Sequence, residues 1–172
     1  MFCNLNSSHF PLLLKWLNAP HVKRWWDQDV NWTSKLITKK YTPYTQGFKI
    51  LGDIKKPMHA FVIQIDQTPV GYVQYYNKYD FPPQQGYSLD GLPGSLAAID
   101  FYIGEKDYLG KGIGTKVLKA FLQEYVFKGF QNCFVDPDSN NQIAIRTYEK
   151  VGFKIIKTIE MATLMTIARN TQ

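Results

Sequence analysis

The chain is 172 residues long, 45% apolar and 20% charged, which suffices for one domain with a substantial core and is the composition of a soluble globular protein. Its net charge is +6, and the whole excess falls in residues 1–60, where nine Lys and Arg face three Asp; residues 61–172 balance eleven against eleven. Because those lysines are scattered, and no apolar run approaches the roughly 18–20 residues of a membrane span, neither a nucleic-acid nor a membrane partner is expected.

Taken in order, the chain opens with a short strand at residues 2–6. No basic segment leads into a long apolar one, so no leader sequence is expected. Cys3 and Cys133 lie far apart without metal-binding spacing and read as reduced thiols of a cytoplasmic protein. Ser7 or Ser8 caps a helix running to about Leu17, with Leu13, Leu14 and Leu17 facing inward. Pro20 restarts the chain ahead of Trp25 and Trp26, which cannot share one side of a helix. One of the pair belongs to the core and the other is a candidate wall for an acceptor cleft, although two core aromatics would explain them equally well. Residues 33–40 read as another short helix.

Residues 59–65 and 69–76 flank Asp66-Gln67 and form a hairpin pattern. Residues 77–95 make a long connection rich in Pro and Gly, which carries Asp80, Asp90, Tyr79, Phe81 and Tyr87. A connection this long within a compact domain is often functional; it is suited to closing over a polar ligand, or it is a plain surface excursion. Residues 96–103 are a buried strand interrupted by one acid, Asp100. A helix beginning near Thr115 carries the stripe Val117, Leu118, Phe121, Leu122 and Tyr125. A strand around Phe134-Val135, a helix over 141–150 stopping at Gly152, and strands over 153–159 and 161–167 complete the chain. The expectation is a single α/β domain over residues 1–172, with a mixed, mostly antiparallel central sheet flanked by helices.

The stretch Leu109-Gly110-Lys111-Gly112-Ile113-Gly114-Thr115, between the strand and the helix, organises this order. Glycines there free the backbone to turn and let another molecule approach the amides. The first-turn N–H groups of the following helix have no internal partner and favour an anion such as phosphate. A Walker loop needs four residues between its first glycine and Gly-Lys, whereas five separate Gly104 from Gly110. A Rossmann fingerprint needs a third Gly or Ala where Thr115 stands. The run instead resembles the coenzyme A pyrophosphate loop of the Gcn5-related N-acetyltransferase superfamily, with Leu109 where that family usually carries Gln or Arg.

A second signature follows. Asn141, two residues, Ala144, a short helix, then Tyr148-Glu149-Lys150-Val151-Gly152-Phe153 resembles the second acetyl-CoA motif of the same superfamily. Including residues 69–76, Asp100, Asp136-Pro137 and the Trp25-Trp26 pair, the chain is similar to bacterial aminoglycoside 6′-N-acetyltransferases. A sister group that acylates hydroxylated lysine in siderophore synthesis typically has His where this chain has Asp100.

That resemblance implies acetyl-CoA as co-substrate, no metal, and a small, polycationic amine acceptor. Amides from Leu109, Gly110, Lys111, Gly112, Ile113 and Gly114, with Thr115, would hold the pyrophosphate. Backbone at Tyr102 and Ile103 would pair with the pantetheine arm as an added strand and polarise the thioester. Asn141 would bond the pantetheine or phosphate region. Tyr148 is the candidate general acid, since a phenol of ordinary pKa about 10 stays protonated at neutral pH. Asp100 would bind the acceptor ammonium, with Trp25, Trp26, Asp80, Asp90 and Asp136 as further acceptor candidates; a turn-forming role explains Asp136 equally well. Other readings are acylation of a hydroxylated-lysine-type amine, protein N-acetylation, and a non-catalytic coenzyme A sensor. Neither motif contains cysteine, so direct transfer in a ternary complex is expected.

Overall fold

The computed structural model describes residues 1–83 and 86–170. Gln84 and Gln85, which belong to the long connection, lie outside the described residues. The backbone gathers into two compact units: residues 1–74 with 100–113, and residues 75–99 with 114–172.

In the first unit, strand β1 (Phe2–Asn4) pairs antiparallel with β4 (His59–Ile65), Cys3 opposite Val62. A 3-10 turn at Ser7–His9 leads into helix α1 (Phe10–Asn18). Neither serine caps α1, whose N-cap is His9; the 3-10 turn is capped by Asn6, whose carboxamide oxygen accepts from the Ser8 N–H at 3.0 Å, while His9 Nδ1 accepts from the Asn6 N–H at 3.2 Å. The two bonds satisfy orphan donors reciprocally, which one serine hydroxyl cannot do alone.

Helix α2 (Pro20–Lys23) is one turn, and α3 (Ser34–Thr45) runs past the predicted end at 40. Ile37, Tyr41 and Tyr44 are buried, so one face stays apolar beyond Lys40. Pro43 sits in the last turn, where its missing N–H leaves the Lys39 carbonyl without the usual helical donor. The unforeseen elements are β2 (Phe48–Leu51) and β3 (Ile54–Pro57), a separate two-stranded hairpin turning at Gly52-Asp53. Two lysines in the second strand hide its alternation.

The predicted hairpin is present as β4 and β5 (Thr68–Asn77), joined by two residues, Asp66 and Gln67, with φ of +48° and +66°. Both values match the primed turns whose twist suits a hairpin. Gly71 lies against β6 (Leu96–Ile103), where a Cβ would run into the Tyr102 carbonyl.

The second unit holds α4 (Ile113–Phe121, beginning two residues before Thr115), whose path continues through a π turn at Leu122–Val126 into α5 (Phe127–Gly129). Val117, Leu118, Phe121, Leu122 and Val126 are buried along it, and Tyr125 stacks on Phe121 at 5.0 Å. Strand β7 (Asn132–Val135) runs parallel to β6. Helix α6 (Gln142–Val151) precedes β8 (Lys154–Thr158) and β9 (Thr163–Ala168), which pair antiparallel; β9 also pairs antiparallel with β7. The strand order is β1-β4-β5-β6-β7-β9-β8. The fold is the mixed α/β architecture expected, with a mostly antiparallel sheet.

Candidate functional site

The glycine stretch adopts the conformation that its composition demands. Gly110 and Gly112 have φ of +71° and +72°, and a Cβ built at either meets nothing within 4 Å. Backbone geometry, not crowding, selects glycine there, and the side-chain positions of both glycines face open space. Leu109, Gly110, Lys111 and Gly112 are exposed, while Ile113, Gly114 and Thr115 are half-buried. An exposed glycine run ahead of a helix start fits a coenzyme pyrophosphate.

Tyr102 and Ile103 are buried at the end of β6. The Ile103 carbonyl already accepts a hydrogen bond from His21 Nε2 at 3.1 Å. His21 therefore ties α2 to this strand end, a role that an isolated histidine after proline does not signal in the sequence.

In the second unit, Asn141 is the N-cap of α6, its carboxamide oxygen accepting from the Ala144 N–H at 3.2 Å. At the other end Gly152 is left-handed, and its N–H and that of Phe153 close on the Tyr148 carbonyl at 3.1 and 3.0 Å. These bonds fix the backbone of Tyr148, whose ring is 6% exposed and meets Phe153 edge-on at 5.4 Å.

Asp100 is half-buried on β6 and held by a relay within the first unit. The Tyr72 hydroxyl donates to Gln74 Oε1 at 2.7 Å, and Gln74 Nε2 donates to Asp100 Oδ2 at 2.8 Å. Tyr72 is fully buried, and burial first, then the neighbouring tyrosines and Asp100, hold its phenol well above the ordinary range. It remains a donor, so the relay has one direction.

The rings around this relay form a cluster. Tyr72 stacks on Tyr102 at 5.6 Å, and Trp26 meets both edge-on at 6.1 and 5.0 Å. Trp25 lies outside this cluster, with the Arg24 guanidinium 4.8 Å over its ring. Burial, then the charges of Asp100 and Asp27, pushes the Tyr44 phenol well up. Lys49 is pushed down by burial and by Lys40, with Asp100 and Asp27 pulling the other way.

The remaining acids do different work. Asp136 accepts from the Tyr87 hydroxyl and pairs with Lys78 Nζ at 3.5 Å. Lys78 is buried and lies over Phe134 at 4.9 Å. The long connection is thereby anchored: Tyr87 and Leu92 pack on the core of Leu96, Phe134 and Leu164, and the Tyr79 hydroxyl donates to the Pro93 carbonyl at 2.8 Å. Asp90 is exposed and bonded to Ser88 within its own turn, at 2.5 Å. Asp80 lies half-buried in a 3-10 turn, Lys78–Asp80.

The family model described as the acetyltransferase (GNAT) domain matches residues 6–161. The chain belongs to the GNAT acetyltransferase family. Aminoglycoside N(6′)-acetyltransferase type 1 of Klebsiella pneumoniae is 28% identical over 146 residues, 83% of this chain and 68% of that protein. A kanamycin resistance protein of Rhizobium radiobacter is 39% identical over 61 residues, 34% of this chain and 56% of its own length. The crystal structure of aminoglycoside acetyltransferase AAC(6′)-Ib with coenzyme A and kanamycin matches with a TM-score of 0.80 and 25% identity, over 98% of this chain and 94% of that one.

In this GNAT chain, sequence reasoning missed Tyr72, Gln74, Asp27 and Lys40. Tyr72 and Gln74 are two apart on one strand and so share a face with each other, which is a signal available before the structure. Asp27 and Lys40 are thirteen residues apart across a loop, and nothing in their spacing joins them. Among the described residues, no group of three or more His, Cys, Asp or Glu is arranged to hold a metal ion, and no helix is long and apolar enough to cross a membrane.

Proposed function

We propose that this acetyltransferase moves the acetyl group of acetyl-CoA to the 6′-amine of an aminoglycoside, and that residues 1–172 act as one catalytic domain. What carries the acceptor is the similarity to proteins named for that reaction, in sequence over 83% of the chain and in structure over 98%. Asp100 supports it, because a carboxylate oriented by Gln74 is suited to an ammonium group.

Acetyl-CoA supplies an activated thioester. The amides of residues 109–114, with Thr115, hold its pyrophosphate. Asp100 pairs with the acceptor's charged amines and orients the reacting one, which must arrive without its extra proton. Tyr148 donates its phenolic proton to the departing thiolate as the new C–N bond forms and the C–S bond breaks. The proton that the amine loses passes to water, and the Tyr148 phenolate takes a proton back from solvent, which restores the acid.

The test is release of the coenzyme thiol from acetyl-CoA with paired aminoglycosides that have or lack a 6′-amine, with hydroxylysine and basic peptides as controls. Turnover confined to the 6′-amine members is expected. Turnover on hydroxylysine or peptides alone would overturn the acceptor assignment. Asp100→Asn should raise KM for the aminoglycoside about tenfold, the value of one charge-assisted contact.

A further inference from the structure

Asp27 and Lys40 stand apart from the relay that serves Asp100. Asp27 has φ of +47°, a conformation that a non-glycine residue adopts at a cost and keeps only where its surroundings hold it. Its carboxylate pairs with Lys40 Nζ at 2.8 Å, and both side chains are about one-third exposed (32% and 31%). The same ammonium lies 5.0 Å from the centre of the Trp32 ring and 5.4 Å from that of Tyr41. Both rings are buried and sit 6.1 Å apart. One carboxylate and two aromatic faces are what an organic ammonium needs for recognition. Here an ammonium already occupies the place, and it is the chain's own.

The surroundings tie this box to the acid side of the first unit. The Asp27 and Asp100 charges act on the same groups, Tyr41, Tyr44 and Lys49. Tyr41 also meets Tyr72, the head of the Asp100 relay, edge-on at 5.7 Å, so the box adjoins that relay.

We propose that Asp27, Trp32 and Tyr41 form a second ammonium subsite for the acceptor, and that Lys40 is its built-in competitor. The inference rests on the acceptor being a polyamine, as argued above. Lysine suits the role: its ammonium is a compact charge on a flexible stem and can swing into water when a ligand amine replaces it. The apparent affinity for a polyamine is then reduced by the share of molecules in which Lys40 holds the box. Lys40 thereby sets specificity, favouring acceptors with enough ammonium groups to displace it.

The experiment is calorimetric titration of the 172-residue chain with spermine and, separately, with kanamycin. Lys40→Met should bind both about two- to fivefold more tightly, the worth of a half-exposed ion pair. Asp27→Asn should remove that gain, so that the double variant binds no more tightly than Asp27→Asn alone. Equal or weaker binding by Lys40→Met, or a gain that survives Asp27→Asn, would overturn the proposal. Lys40→Gln is the second variant if methionine impairs folding. In the unsubstituted protein the Lys40 side-chain NMR resonance should shift on adding spermine, and a resonance that stays put at saturation also overturns it. The two readings fail separately. Kanamycin that is not acetylated while spermine binds Lys40→Met more tightly removes the aminoglycoside assignment and leaves the box. Acetylation of kanamycin with no gain from Lys40→Met does the reverse.

Discussion

Tyr148 and Asp100 are fixed by different means, and their substitutions should therefore fail differently. Tyr148 is held through its backbone by the glycine cap of α6 and through its ring by Phe153. Replacing it with phenylalanine keeps both and deletes only the proton donor. Tyr148→Phe should lower kcat about a hundredfold, a typical contribution of general acid catalysis, while coenzyme A binding measured by calorimetry stays nearly the same. Unchanged kcat would remove the acid role. The place of Tyr148 near a helix end was legible because it sits in the series Tyr-Glu-Lys-x-Gly-Phe, whose glycine closes α6. Asp100 was legible because an acid stands out in an apolar strand. Its support by Tyr72 and Gln74 depends on another strand, and pairing between strands is not written in local spacing. Asp136 shows the opposite limit: a carboxylate that looks available in the sequence is engaged by Tyr87 and Lys78, residues 49 and 58 positions away.

At the scale of elements, two joints carry testable stability. The β4–β5 turn puts Gln67 at φ +66°, where glycine would be at ease and glutamine is not. Gln67→Gly should stabilise the chain by up to about 1 kcal/mol in urea unfolding; a loss of stability would mean that the glutamine side chain holds the turn. The hairpin itself was readable from its two β-rich runs. The β2–β3 hairpin was not, because its lysines mask the period. The second joint is Glu105, just after β6. It accepts from Lys15 at 2.6 Å and from the Trp16 indole at 2.8 Å, binding α1 to this segment. The Lys15 bond first, then the Trp16 bond, holds its carboxyl below the ordinary range. A depressed folded-state pKa means stability that is present above the unfolded value and is lost as pH falls through the folded one. The unsubstituted protein should melt above Glu105→Gln at neutral pH, and the gap should close below about pH 4, where an ordinary glutamate protonates. A gap independent of pH would assign the joint to packing alone.

For the molecule as a whole, the decisive question is whether the acetyl group ever rests on the protein. A covalent route needs a nucleophile, and for a thiol that means an accessible thiolate. Cys133 is buried on β7, and Cys3 is half-buried on β1, with its thiol pushed up chiefly by burial and only partly offset by a hydrogen bond with the Val62 backbone and by the N-terminal charge. Neither belongs to the glycine stretch or to α6. The proposed role of Tyr148, a proton given to the leaving group, belongs to a direct attack by the amine. The expected outcome is therefore an intact mass without an acetyl adduct after incubation with acetyl-CoA alone, and initial-rate lines that intersect when both substrates are varied. Parallel lines, with an adduct that disappears when the amine is added, would instead place a covalent intermediate on the path and take the role of acid in a single-step transfer from Tyr148.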